Sequence, residues 1–345
     1  MTTFMKPAVG VEQQLDILQQ RGLFVRQPER AKRFLEVVSF FRLSIYMRPF
    51  QVPGNHDHLF KAGAEFKQIV DLYAFDRELR LLVIDAIERV EVAVRASLNN
   101  YMSCQYQRDI AHSGSHWYLD RNLFKQGYDH QRLIRDLENK QAKEAKEAAQ
   151  LIRDIDKINR SHATNDIKQQ RISQRTKENY PRFYQQNYQI PALMPGWAMT
   201  EELTLGSLSH LYQGLKKDAD RKAIARRFAT PHEVLASWLH TLNFVRNCCA
   251  HHSRLWNREL SVQPKIPRDA LWELPERLAG SQVQPRRRIY VVLLLLAQLM
   301  RQVSPDSQWH NKVKTLMLLH PSVPLFSMGF PDDWQSHVFW SGADV

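Results

Sequence analysis

A short stretch near residue 250 concentrates the side chains of this sequence that could perform chemistry. It reads NFVRNCCAHHSRLWNREL, from Asn243 to Leu260, and combines arginines, asparagines, two cysteines and two adjacent histidines. These residue types suit three kinds of reactive site: a zinc centre, a cysteine nucleophile, or a metal-free acid–base centre acting on a phosphodiester. A fourth interpretation is a polar cluster that only binds a neighbouring helix.

The zinc and thiol alternatives find little support elsewhere in the sequence. Cys248 and His252 are four residues apart and could supply two zinc ligands, but no CxxC pair supplies the others and Cys104 is the only other cysteine. A thiol nucleophile needs a lowered pKa and an exposed pocket, whereas Cys249 is predicted to point into the core. We therefore expect no metal ion and no other cofactor.

Acid–base chemistry on RNA matches the residue types more closely. Histidine titrates near neutral pH, arginine can hold a phosphate through two hydrogen bonds, and asparagine can orient either the imidazole or the substrate. RNA also carries its own nucleophile, the 2′-hydroxyl. The protein therefore needs to supply neither a nucleophile nor a metal.

The stretch is predicted to form the end of a helix that begins at about Thr230. Thr230 is a suitable N-cap, Pro231 suits the first helical position, and Glu233 supplies the carboxyl group of a capping box. The apolar residues that follow recur three and four positions apart, as expected for a helix with one buried face. The polar residues of the stretch should then lie in fixed directions around this helix.

A rotation of about 100° per residue separates two faces of the predicted helix. The predicted buried face, within about 60° of Leu242, comprises Leu235, Trp238, Leu239, Leu242, Val245 and Cys249. If the helix continues through Arg254, a polar stripe on the far side comprises His240, Asn243, Asn247, His251 and Arg254. Arg246 lies at the edge of the buried face, where a guanidinium must be paired, reach outward or face a partner. A solvated face would carry glutamate and lysine, so this composition favours a functional face.

The whole-chain composition is typical of a basic globular protein. The 345 residues carry a formal charge of +12, which attracts polyanions such as nucleic acid or an acidic membrane surface. Three cysteines cannot form a disulfide framework, so we expect a reducing, cytoplasmic location. The start shows no signal-peptide pattern, and the most apolar run, Ile289 to Met300, is too short to span a membrane.

Helical periodicity dominates the chain and predicts an all-α fold. The clearest helix covers Phe66 to Tyr101, with a break expected near Asp76. Residues 129–182 are rich in charge and predict a long amphipathic helix followed by a weaker helical segment after Ser161. The pattern favours a solvated helical hairpin, with an RNA-gripping arm as the alternative. A basic stretch that could contact phosphates contains Lys216, Lys217, Arg221, Lys222, Arg226 and Arg227.

Several segments resemble known families. The run from Arg246 to His251 resembles the R-x4-6-H motif of HEPN-superfamily ribonucleases, and RNCCAHHSRLWNR resembles the Abi family of bacterial abortive-infection proteins, which carry a HEPN domain. FFRLSIYMRPF, Phe40 to Phe50, and the helix from Leu72 to Leu98 resemble two further Abi segments, and Lys6-Pro7 and Gln14 to Leu23 extend the match. Phe40, Phe41 and Ile45 depart from the usual Tyr, Tyr and Gly.

The resemblance implies an all-α HEPN-like bundle that works as a homodimer with two motifs facing one cleft. It implies an N-terminal Abi segment over 1–60, the first bundle helices over 61–128, a charged insertion over 129–182, and the remainder of the bundle over 183–345. The implied reaction is metal-independent cleavage of RNA by its 2′-hydroxyl. In that reaction His251 performs acid–base work, Arg246 binds the scissile phosphate and Asn247 orients its partners, with His252 as the alternative base.

The expected function is that of an endoribonuclease toxin in anti-phage abortive infection. Its substrate is RNA, and a cognate noncoding RNA or an antitoxin is the expected kind of regulatory partner. Further RNA-binding residues are expected at His252, Arg254, Lys216, Lys217, Arg221 and Arg226. The alternative function is a non-catalytic module that holds a structured or small noncoding RNA through its basic surfaces.

Overall fold

A computed structural model describes residue 5 and residues 7–107, 114–146 and 148–341; Lys6 of the Abi-like start lies outside the described residues. The described chain is all-α, as predicted, and its only β pairings are isolated bridges. The α-helices are α1 Val11–Gln20, α2 Pro28–Val38, α3 Phe40–Met47, α4 Phe66–Gln105, α5 His130–Lys146, α6 Ala148–Asn159, α7 Asn165–Lys177, α8 Tyr180–Asn187, α9 Gly196–Glu201, α10 Leu205–Gly214, α11 Asp218–Arg226, α12 His232–Ala250, α13 Ile289–Val303, α14 Trp309–Leu319 and α15 Val338–Ser341.

Helix α4 is the central element of the fold. It contains 40 residues and begins at Phe66, as the apolar periodicity predicts. The Glu65 N–H donates to Gln68 Oε1 over 2.9 Å and caps its first turn. Helices α3, α12, α13 and α14 all pack against α4, so a single long helix connects the N-terminal, motif-bearing and C-terminal segments.

The break predicted near Asp76 is absent: α4 runs through this residue without interruption. Asp76 is fully buried and forms an ion pair with Arg80, one turn further along the same helix. A buried carboxylate is tolerated when opposite charge and hydrogen-bond donors surround it. Here they allow the helix to keep its regular course.

The apolar run after residue 288 forms a core helix. All nine residues of α13 from Ile289 to Ala297 are buried. Within the described ranges, no helix combines the length and the apolar character needed to cross a bilayer.

The charged segment between residues 129 and 182 contains α5, α6 and α7 and the start of α8. Helices α6 and α7 pack together, and Arg175 Nη2 contacts Asp154 Oδ2 over 2.7 Å. The predicted second helical segment after Ser161 is α7. Helix α5 packs against α8 and contributes Leu133 and Leu137 to the main core, so the base of this segment is joined to the body.

Candidate active site

Helix α12 presents the predicted catalytic side chains at its C-terminal end. Its predicted buried face is confirmed, because the six apolar residues named for that face all lie in the core. Arg246, Asn247 and His251 are exposed, and among the residues that the structure describes their side chains form no hydrogen bond or ion pair. Of the three possibilities for Arg246 at the edge of the buried face, its guanidinium therefore reaches outward into solvent. Three side chains suited to phosphate chemistry are free to meet a ligand.

The start of α12 differs slightly from the prediction. The N-cap is Pro231, not Thr230, and the helix begins at His232. The Thr230 hydroxyl donates instead to the Phe228 carbonyl over 2.8 Å, and Ala229 has a positive φ of 45°. The hydroxyl is thus used to close the preceding turn, which is a common alternative role for threonine.

The end of α12 is a tight reversal built around His252. The helix ends at Ala250 with His251 as its C-cap, and His252 has φ of 54°. The His252 N–H donates to the Cys249 carbonyl over 3.0 Å, and the Ser253 N–H donates to the Cys248 carbonyl over 2.8 Å. This is a Schellman motif, in which the left-handed position usually holds glycine. A histidine there is conformationally strained, as is common at functional sites.

This reversal removes Arg254 from the polar stripe where the sequence placed it. The stripe required the helix to continue through Arg254, but the chain leaves the helix at Ala250. The sequence has no glycine at the end of α12, and the predicted helix was therefore extended too far, through Arg254. Arg254 is half-buried in the loop after the motif, three residues beyond His251.

A buried carboxylate fixes the loop that follows the motif. Asp76 Oδ1 accepts the Leu255 N–H over 3.1 Å and the Trp256 N–H over 2.6 Å. Asp76 Oδ2 accepts the Tyr46 hydroxyl over 2.6 Å and also the Arg80 guanidinium. Burial, reinforced by the charge of Asp76, raises the pKa of the Tyr46 hydroxyl far above its usual range. Four donors therefore hold one carboxylate, and two of them belong to the motif loop.

A second anchor comes from α3. Arg42 Nη1 donates to the His252 carbonyl over 2.7 Å. Arg42 and Tyr46 both lie in the segment FFRLSIYMRPF, and Asp76 and Arg80 lie on α4. The three segments that resemble one family in sequence thus converge in space on the loop after the motif.

These anchoring residues were missed by the sequence reasoning. Asp76 and Arg80 interrupt the apolar stripe of α4 at a four-residue spacing, which is the spacing of an ion pair on one helix face. Such a pair in the middle of a buried stripe was the available signal for a buried network.

The two cysteines of the motif are poor nucleophiles. Burial raises the pKa of the Cys249 thiol to about 12, and burial also raises the pKa of Cys248. The thiolate is the reactive form, so both residues are predominantly unreactive thiols at neutral pH. No group of three or more His, Cys, Asp or Glu side chains in the described part of the chain could hold a metal ion.

The basic stretch around α11 lies at the other end of α12. Tyr212 Oη donates to the Arg221 carbonyl over 3.0 Å and to the His232 carbonyl over 3.3 Å, which places Arg221 beside the start of α12. At 1.5 Å per residue, the 19-residue helix α12 is about 28 Å long. The α11 stretch and the motif therefore cannot bind one phosphate together.

Only part of this basic stretch is available to a ligand. Arg221 is buried and donates to the Leu215 carbonyl and to Asp218. Lys216, Lys217 and Arg226 are exposed, with Lys217 Nζ 5.2 Å from the centre of the Tyr106 ring. Phosphate contacts by the residues predicted to bind RNA here now depend on Lys216, Lys217 and Arg226, and Lys222 and Arg227 of the same stretch are exposed as well.

Comparison with known proteins agrees with the convergence of segments. A family model described as Abi-like protein matches residues 33–257. This range includes α3, α4, α12 and the motif loop with both of its anchors. No curated protein and no solved structure gives a significant match. Because the matched range exceeds half of the chain, this protein belongs to the Abi-like protein family.

Proposed function

We propose that this protein is a metal-independent endoribonuclease of the HEPN type that acts as a toxin in abortive infection. The observation that carries the proposal is the exposure of Arg246, Asn247 and His251 at the end of a helix that is otherwise anchored in the core, with no side-chain bond from them to any described residue. Solvent-exposed polar side chains on a rigid support are what a preorganised catalytic site requires. Membership of the Abi-like family supports the link to abortive infection.

The proposed reaction uses the 2′-hydroxyl of the RNA as nucleophile. A histidine takes the proton of that hydroxyl, its oxygen bonds to phosphorus, and the bond from phosphorus to the 5′-oxygen breaks. A protonated histidine returns a proton to the leaving oxygen, which gives a 2′,3′-cyclic phosphate and a 5′-hydroxyl. Arg246 stabilises the charge on the phosphate, and Asn247 orients the imidazole or the substrate.

The geometry of α12 supports action as a homodimer. Arg246 and His251 are five residues apart and point about 140° away from each other around the helix axis. One chain therefore presents them poorly to a single phosphate. Across a two-fold axis, the arginine of one copy can serve the histidine of the other, and the dimer contains both an acid and a base.

The decisive test compares matched variants. We expect Arg246→Ala and His251→Ala each to abolish cleavage of RNA and growth inhibition, with wild-type thermal stability because both side chains are exposed. His210→Ala removes an exposed histidine from α10 and is the matched control that should retain activity. His252→Ala separates the two candidate bases. Full activity of both His251→Ala and His252→Ala would exclude this mechanism.

The role of metal is tested separately. Wild-type cleavage should continue at the same rate in EDTA, and the products should carry 2′,3′-cyclic phosphate ends, which cannot be extended from a 3′-hydroxyl until the phosphate is removed. Loss of cleavage in EDTA with recovery on addition of zinc would instead indicate a metal-dependent reaction.

The exposed cations Lys216, Lys217 and Arg226 favour one alternative, a non-catalytic module that holds a structured or small noncoding RNA. In that case, no RNA is cleaved under any condition and binding survives Arg246→Ala. Sequencing the RNA that copurifies with wild type and with His251→Ala distinguishes the two functions, because only a nuclease enriches uncleaved target in the variant.

A further inference from the structure

The loop after the motif carries arginines that pair with no acidic side chain in the part of the chain that the structure describes. Arg254 is half-buried, and its Nε is buried without a hydrogen-bond partner among the described residues. The Arg258 Nε donates over 2.6 Å to the Arg254 carbonyl, which holds the Arg258 guanidinium against the backbone of Arg254. Arg48 lies two residues after Tyr46, and Tyr46 bonds the same Asp76 carboxylate that holds the backbone of Leu255, the residue after Arg254. Burial and the positive charges of Arg258 and Arg48 lower the pKa of the Arg254 guanidinium. Arg48, Arg254 and Arg258 together form the arginine cluster.

The carboxylate of Asp76 cannot neutralise the arginine cluster. Asp76 already accepts four donors, and its charge is paired with the buried guanidinium of Arg80. Within the described ranges, Arg48, Arg254 and Arg258 form no ion pair with any acidic residue, and Glu259 is paired with Arg287. A half-buried guanidinium without a counterion is unfavourable. The cluster therefore has the properties of a preformed anion-binding site.

We propose that Arg48, Arg254 and Arg258 form a phosphate-binding subsite that holds the RNA backbone next to the scissile phosphate. This inference rests on the proposed function, since it assigns the substrate's position at the same site. The Cα atoms of Arg254 and His251 are separated by three residues and so by at most about 11 Å. Guanidinium forks match the oxygens of a phosphodiester, which favours RNA as the occupant.

The subsite is distinct from the proposed catalytic residues in what it contributes. Contacts with a neighbouring phosphate exist both before and during the reaction, so they bind substrate and transition state equally. Loss of a cluster arginine should therefore raise KM while kcat stays near the wild-type value, unlike loss of Arg246 or His251. A hydrogen bond to a charged group sets the expected loss of affinity at about tenfold.

The test uses full-length protein and a fluorescent single-stranded 20-mer of 2′-O-methyl RNA, which has the phosphate backbone but lacks the nucleophilic hydroxyl. Its affinity is measured by anisotropy at several salt concentrations for wild type, Arg254→Gln and Arg48→Gln. Arg277→Gln is the matched control, because Arg277 is exposed and bonds only to Gln282 among the described residues. A variant that binds one phosphate fewer should show a slope of log affinity against log salt that is smaller by about 0.7.

The proposal predicts a smaller slope and about tenfold weaker binding for Arg254→Gln and Arg48→Gln, and a wild-type slope for Arg277→Gln. If Arg254→Gln melts at a lower temperature than wild type, Arg48→Gln decides, because Arg48 is exposed. Wild-type binding by Arg48→Gln and by a stably folded Arg254→Gln would overturn the proposal. Unchanged slopes with cleavage intact would refute the subsite alone. Altered slopes without cleavage of any RNA would refute the nuclease alone.

Discussion

The buried carboxylate of Asp76 offers the sharpest test of how the site is held. In Asp76→Asn, one acceptor oxygen becomes an NH2 group that faces donors from Tyr46 and Arg80 or from the backbone of Leu255 and Trp256. The substitution also leaves Arg80, which is buried, without a counterion. Breaking a buried pair in this way costs about 3–5 kcal/mol.

This free energy converts into a measurable shift in melting temperature. Unfolding entropy is about 2.1 cal/mol/K per residue, or roughly 0.7 kcal/mol/K for this chain, so the midpoint should fall by roughly 4–7 °C. Asp85→Asn is the matched control, because Asp85 forms the same four-residue pair with Arg89 on the same helix, but at the surface. An exposed pair contributes less than about 1 kcal/mol, and its loss should shift the midpoint by about 1 °C.

Hydrogen exchange locates the effect. The amides of Leu255 and Trp256 donate to Asp76, so a peptide covering this loop should exchange faster in Asp76→Asn and at the wild-type rate in Asp85→Asn. If Asp76→Asn and Asp85→Asn have the same melting temperature and the same exchange rates, the Asp76 carboxylate does not hold the motif loop.

Three further predictions concern strain, thiols and pH. His252→Gly should raise the free energy of unfolding by about 1 kcal/mol, because glycine adopts the left-handed conformation freely; a loss of stability in urea unfolding would contradict this. Iodoacetamide should label exposed Cys104 quickly and buried Cys248 and Cys249 only after denaturation, as mass spectrometry can show; rapid labelling of either motif cysteine would revive the thiol alternative. Burial raises the pKa of Tyr46 above the value of about 10 in an unfolded chain. The contribution of Tyr46 to folding stability is therefore complete below pH 10 and is lost as the pH rises further. Melting temperatures measured at pH 8, 10 and 11 should decline, and a rise in melting temperature with pH would contradict this prediction.

The elements that depend on local periodicity were predictable from the sequence. Helix α4 begins at Phe66 as expected, and the buried face of α12 follows from a rotation of 100° per residue. Such patterns record which side of a helix faces the core, and they require no knowledge of the partner. The elements that depend on distant partners were not predictable in this way.

Asp76 illustrates the limit. An acid within an apolar stripe indicates a break when it is considered alone, and only contacts with Tyr46 and the backbone after residue 254 show why the helix continues. The end of α12 was misjudged for a related reason, because His252 occupies a position where glycine is the usual signal. Arg254 was consequently expected on the helix, although the chain had already reversed.

Because the motif loop is attached to Arg42 and Asp76, the motif should not keep its geometry when α12 and its loop are moved into another protein. These hydrogen bonds connect residues 210 and 179 positions apart in the chain. A fragment that begins at α12 keeps every residue from Arg246 to His251 but lacks the two anchors that aim them. Residues 42 and 252, which lie near the two ends of the family-matched range, contact each other in space. The motif can therefore be recognised from a short stretch of sequence, but its side chains are positioned only when both ends of that range are present.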